Sequence, residues 1–179
     1  MRRDALPPWS APVAIHDVPE TGRRFDLVAD QNTRAAVAES IGLRTLPRLE
    51  ASFDVSRHGR AGLRVVGRVS ATVGQTCVVT LEPIDNEIEE PVDLVFVPAT
   101  AADVSHEGGG GGKVAAADET EPLVGGIADL GVVATEFLTL GIDPYPRKSG
   151  VEFAAPVAGD DSSHPFAALA ALKKGQGGS

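Results

Sequence analysis

The strongest constraint on this chain is a strict two-residue alternation on either side of one short polar break. Leu49, Ala51, Phe53 and Val55 share one parity, and Glu50, Ser52, Asp54 and Ser56 take the other. After His58-Gly59-Arg60-Ala61-Gly62, the apolar parity resumes in Leu63, Val65, Val69, Ala71 and Val73, with Arg64, Arg68, Ser70 and Thr72 opposite. Successive side chains of a strand point to opposite faces of its sheet, so the spacing predicts two antiparallel strands with one buried and one wet face. The glycine-bearing break suits a hairpin connection.

Weaker signals extend the pattern. Val13 and Ile15 suit an edge strand, and Phe25-Asp26-Leu27-Val28 another. Thr76 to Val97 favours strand, interrupted at Glu82-Pro83 and Asp85-Asn86 and clearest over Val92, Leu94 and Phe96. Thr33 to Ile41 is rich in helix formers, with Asn32 as the expected cap and Gly42 as its end. Ile127, Leu130, Ala134, Phe137, Leu138 and Gly141 recur at spacings of three and four, which predicts a helix covering the sheet. Pro165 to Lys174 reads as a short C-terminal helix. The fold class is therefore α+β: an antiparallel sheet, able to curl into a partial barrel, covered by a few helices. The expected organisation is a tail over 1–11, one domain over 12–174 with a flexible, glycine-rich insertion over 99–122, and a tail over 175–179.

The net charge of −9 is distributed unevenly. Residues 1–74 carry 11 Arg against 8 Asp and Glu, whereas residues 75–143 carry 14 acids against one Lys. Such a chain can meet nucleic acid on its first part or a basic protein on its acidic middle. The single cysteine, Cys77, cannot close an intrachain disulfide, which points to a cytoplasmic protein. No run reaches the roughly 18 apolar residues of a membrane span, so no membrane partner is expected.

Several kinds of chemistry lack their motifs. Gly108 to Gly112 followed by Lys113 imitates a phosphate loop, but Glu107 occupies the position of its first glycine and Val114 that of the magnesium-binding hydroxyl. His16, His58, His106 and His164 show no metal-ligand spacing. Cys77, among apolar neighbours, reads as a small buried side chain. No catalytic residue, cofactor or metal is expected, and a metal-dependent nuclease is the least supported class.

Binding residues are easier to nominate. Arg64 and Arg68 share a strand face and could engage phosphate oxygens, although a solvated outer face is the simpler account of them. Tyr145-Pro146-Arg147-Lys148 places a ring beside two cations on a stiff turn; Tyr145 could stack on a base or anchor the loop. Arg64, Arg68, Tyr145, Arg147 and Lys148 are thus the RNA-binding candidates. Glu82, Asp85, Glu87 and Glu89 are the candidates for contact with a basic protein.

An ordered series of short motifs goes further. Cys77 with Leu81-Glu82-Pro83 is followed by Glu121-Pro122, Ile127-Ala128-Asp129-Leu130-Gly131, Glu136-Phe137 and Leu140-Gly141-Ile142-Asp143-Pro144-Tyr145-Pro146-Arg147-Lys148. Pro165-Phe166, Leu169, Leu172 and Lys173-Lys174 complete the series. This combination resembles the YceD family, also called DUF177, associated with accumulation of the large-subunit 23S ribosomal RNA. Many relatives carry a second cysteine three positions after the first, where this chain has Thr80, so a cysteine-pair metal or redox mechanism does not carry over. The resemblance implies a non-enzymatic role in synthesis, processing or stability of that RNA during large-subunit assembly. Its implied partners are precursor or mature 23S ribosomal RNA or large-subunit assembly proteins. The alternative is an acidic adaptor for a basic ribosomal component.

Overall fold

The computed structural model describes residues 7–98 and 120–151. Seven strands and two helices follow in the order β1 (Pro12–Ala14), β2 (Arg23–Val28), α1 (Gln31–Ile41), β3 (Thr45–His58), β4 (Gly62–Thr76), β5 (Pro83–Pro98), β6 (Thr120–Leu123), β7 (Ile127–Asp129) and α2 (Leu130–Gly141). The fold is mixed α+β. Five strands form one sheet in the order β2-β3-β4-β5-β6, and β1 pairs with β7 in a separate two-stranded sheet. Strands β2 to β5 are antiparallel, but β6 runs parallel to β5, so the large sheet is mixed. Its outermost strands, β2 and β6, do not pair with each other, and the described sheet remains open.

The predicted hairpin is present, with Leu63 opposite Arg57 and Val65 opposite Val55. Parity decides the rest: Leu49, Ala51, Phe53 and Val55 of β3 and Leu63, Val65, Val69, Ala71 and Val73 of β4 all enter the core. Each buried aliphatic or aromatic side chain contributes on the order of 1.5–3 kcal/mol. Gly67 interrupts the large side chains of β4 opposite Phe53. A Cβ there would collide with the Ser52 carbonyl oxygen, so glycine is what allows the backbones to approach.

Helix α1 lies against β3, and α2 against β4 and β5. Val37 and Ala38 of α1, and Leu130, Val133, Ala134 and Leu138 of α2, complete the core on the same side of the sheet. Close approach of α2 depends on its two glycines. A Cβ on Gly131 would lie 2.8 Å from the Trp9 backbone, and one on Gly141 would lie 2.8 Å from Ile88.

Local chemistry shifts several expected boundaries. Helix α1 starts two residues early because Asp30, not Asn32, accepts the Thr33 N–H at 2.7 Å. The second helix starts at Leu130 because Asp129 caps it, accepting from the N–H groups of Gly131 and Val132; Ile127 and Ala128 belong to β7. Strand β5 runs uninterrupted through Asp85-Asn86, held by continuous pairing with β4. Residues 120–122 of the expected insertion are strand, paired with β5. Residues 7–11, placed in a tail by the sequence, carry Trp9 into the core, and the Ala11 N–H donates to Asp129 at 2.8 Å. The rest of the insertion, the glycine run, the helix expected over 165–174 and the C-terminal tail lie outside the described residues.

Candidate functional site

The nominated residues fall in two places. Arg64, Arg68, Asp85, Glu87 and Glu89 lie on the outer face of β4 and β5, opposite the helices. The pairing of Ser70 with Glu89 and Thr72 with Glu87 interleaves the two strands' polar rows. Glu82, Tyr145, Arg147 and Lys148 lie where the β4–β5 connection meets the turn that follows α2.

On the outer face, charges meet diagonally across strands, as neighbours on one face of a sheet can. Arg64 makes a two-pronged contact with Asp93, at 2.8 and 3.0 Å. Arg68 donates to Glu89 at 2.9 Å, and Arg48 to Glu87 at 2.6 Å. The Thr72 hydroxyl also donates to Glu87. Hydrogen bonds from Thr72 and Arg48 hold the Glu87 pKa below its usual value, and Arg64 does the same for Asp93. The expected separation of a basic from an acidic surface is therefore not observed. The register places Arg48, Arg64 and Arg68 each beside a carboxylate, and a phosphate approaching Arg64 or Arg68 would also meet that carboxylate. Asp85 has no such partner among the described residues.

The second place is built around Cys77, which is buried. The tight turn from Cys77 to Glu82 closes through two backbone bonds: the Cys77 N–H donates to the Glu82 carbonyl and the Leu81 N–H to the Cys77 carbonyl, both at 2.9 Å. The sulfur accepts the Thr80 N–H at 3.5 Å and the Lys148 N–H at 3.4 Å. Hydrogen bonding from the Thr80 hydroxyl and N–H, together with the Lys148 N–H, pulls the Cys77 pKa down to about 6 against the opposing effect of burial. Thr80 thus serves the Cys77 sulfur as a donor.

Three further bonds fasten the turn after α2 to this knuckle. The Val78 N–H donates to the Pro146 carbonyl at 2.9 Å, the Gln75 amide donates to the Asp143 carbonyl at 2.9 Å, and the Lys148 ammonium meets Glu82 at 2.9 Å. That last pair joins one RNA candidate to one protein-binding candidate, and hydrogen bonding between them raises the Lys148 pKa and lowers that of Glu82. Asp143 accepts the Tyr145 N–H at 2.8 Å and shapes the turn. Pro146 is buried, whereas the Tyr145 side chain is 70% exposed. Arg147 is exposed and has no ion-pair or hydrogen-bond partner among the described residues.

Sequence reasoning missed the apolar part of this surface. Val78 and Leu81 are exposed beside Cys77, and Leu81 holds a left-handed backbone at φ 61°. An exposed leucine in that conformation is uncommon for a residue with a Cβ. Nothing in its alternation-poor surroundings signalled it. Among the described residues, no group of three or more His, Cys, Asp or Glu side chains could hold a metal ion. No described helix is long and apolar enough to cross a membrane.

No curated protein and no solved structure matches the chain. A family model, described as large ribosomal RNA subunit accumulation protein YceD, matches residues 65–173. The match takes in β4, the Cys77 knuckle, α2 and the Tyr145 turn, and runs over more than half of the sequence. The chain belongs to the YceD family.

Proposed function

We propose that this protein supports accumulation of 23S ribosomal RNA in the cytoplasm by binding, without bond-making chemistry, to precursor RNA or to the assembling large subunit. The family description supplies the cellular context. The observation that carries the choice of surface is the turn after α2, where the exposed Tyr145 ring and the Arg147 guanidinium, which has no partner among the described residues, extend from a backbone fastened to the Cys77 knuckle. An exposed ring and a neighbouring cation on a fastened backbone suit an unpaired base and its phosphate, and fastening the turn in advance lowers the ordering cost of binding. Lys148, already paired with Glu82, adds a weaker electrostatic contribution.

The same reasoning demotes Arg64 and Arg68 as phosphate ligands, because each already faces a carboxylate. It also weakens the adaptor reading at Glu82, Glu87 and Glu89, each of which already faces a cation. Crosslinking of the protein to purified immature large subunits tests the proposal. RNA crosslinks should map to the Tyr145–Lys148 turn and disappear in the Tyr145→Ala/Arg147→Glu variant. Crosslinks confined to protein, or unchanged in that variant, would refute it.

A further inference from the structure

Strand β2 ends the five-stranded sheet, and among the described residues no strand pairs with its outer edge. Its six residues, Arg23-Arg24-Phe25-Asp26-Leu27-Val28, pair with β3 in one unbroken register and include no proline. Such an edge lacks two of the devices, bulges and prolines, by which proteins prevent strand addition.

One bond just beyond the strand shows which backbone groups the edge presents. The Ala29 N–H donates to the Leu49 carbonyl at 3.0 Å, and Ala29 lies opposite Leu49 when the pairing of Val28 with Glu50 is continued. Bonded and non-bonded pairs alternate along an antiparallel ladder, so Leu27, Phe25 and Arg23 turn their N–H and carbonyl groups towards β3. Arg24, Asp26 and Val28 turn theirs outward, where no described group meets them. The side chains of these three are exposed on the sheet face away from the helices, while Phe25 and Leu27 are half-buried against the core.

We propose that β2 pairs antiparallel with β2 of a second copy of this chain, joining two five-stranded sheets across a two-fold axis at Phe25. Two-fold pairing through one strand has to be self-complementary. The outward groups restrict it to registers in which Arg24, Asp26 and Val28 bond to one another across the seam. Centring on Arg24 or on Asp26 sets like charges face to face, which is destabilising. Centring on Leu27 or Val28 opposes no unlike charges within the strands. Centring on Phe25 sets Arg24 of each copy opposite Asp26 of the other, so the pairing gains two unlike-charge pairs by symmetry.

The same register closes the apolar side. Its centre is a pair without backbone bonds, where opposing side chains lie closest, and there the two Phe25 rings meet. The Arg23 guanidinium already lies over the Phe25 ring, 5.0 Å from its centre, and its stem would run along Leu27 of the other copy. In a single copy Arg24 meets Asp26 of its own strand and Ser52, and pairing adds an opposite charge to each member of that group. The seam shares no residue with the Tyr145 turn, so it stands or falls separately from the RNA contact.

Sedimentation equilibrium of the full chain, from micromolar concentrations to about 1 mM, tests the pairing. The expected result is a concentration-dependent dimer. Arg24→Asp and Asp26→Arg should each weaken it by about tenfold or more, although they move the net charge in opposite directions. Arg24→Asp/Asp26→Arg, which keeps the parental net charge, should restore it. Amide exchange gives a second reading on the unaltered protein: the Arg24 and Asp26 amides should slow as concentration rises, while those of Phe25 and Leu27, already bonded to β3, stay unchanged. A chain that remains monomeric, a double variant as weak as the single ones, or a dimer whose Arg24 and Asp26 amides exchange as fast as in the monomer would overturn the proposal.

Discussion

At the scale of single residues, the knuckle concentrates unusual chemistry in a few positions. A thiol whose folded pKa is about 6 loses its proton in the native state well before it does in the unfolded chain. The unfolded state then binds more protons, so this group adds stability as pH rises from about 6 towards the unfolded thiol value, and the gain is lost as pH falls through about 6. The thiolate absorbance should titrate with a midpoint near that value, and urea titrations across that window should show a pH dependence that Cys77→Ser removes. Leu81 makes a different prediction. Its left-handed backbone disfavours branching at Cβ, so Leu81→Val should cost about 1–2 kcal/mol in urea unfolding, while Leu81→Gly should stay within about 0.5 kcal/mol of the parent. Neither property was legible in the sequence. A cysteine among valines reads as an ordinary buried side chain until the N–H groups of Thr80 and Lys148 are found aimed at its sulfur. Arg64 and Arg68 were correctly placed on an outward strand face by parity, but their partners Asp93 and Glu89 come from another strand, and register between strands is invisible to a pattern within one.

At the scale of elements, alternation exposed the β3–β4 hairpin almost completely, because a strand with one buried face repeats its signal every second residue. Helices were found but started wrongly. For α2, periodicity drew Ile127 into the helix, whereas the physical start is set by Asp129, whose carboxylate takes N–H groups from Gly131, Val132 and Ala11 and the hydroxyl of Ser10. This one side chain both caps the helix and fastens the N-terminal segment to it. Asp129→Ala should therefore destabilise the protein by about 2 kcal/mol, at the upper end for a cap, as measured by denaturant unfolding. The parallel strand β6 escaped detection because its four residues, Thr120–Leu123, are too few to establish a period and gain their identity only from Val95 to Pro98.

At the scale of the whole molecule, a linear count of charges suggested an arginine-bearing front and an acidic middle, yet folding lays β3, β4 and β5 side by side and mixes the two. The consequence for RNA affinity is measurable through its salt dependence. Arg147→Ala should lower the slope of log affinity against log salt by about 1, as expected for losing one phosphate contact, while Arg64→Ala/Arg68→Ala should leave it unchanged. The bond from the Lys148 N–H to the Cys77 sulfur spans 71 positions of sequence, and the Val78 N–H makes the reciprocal crossing to Pro146. Deuterium should consequently enter these two amides slowly and at matched rates, despite the solvent around both side chains, and alkylating the thiol should release the pair together.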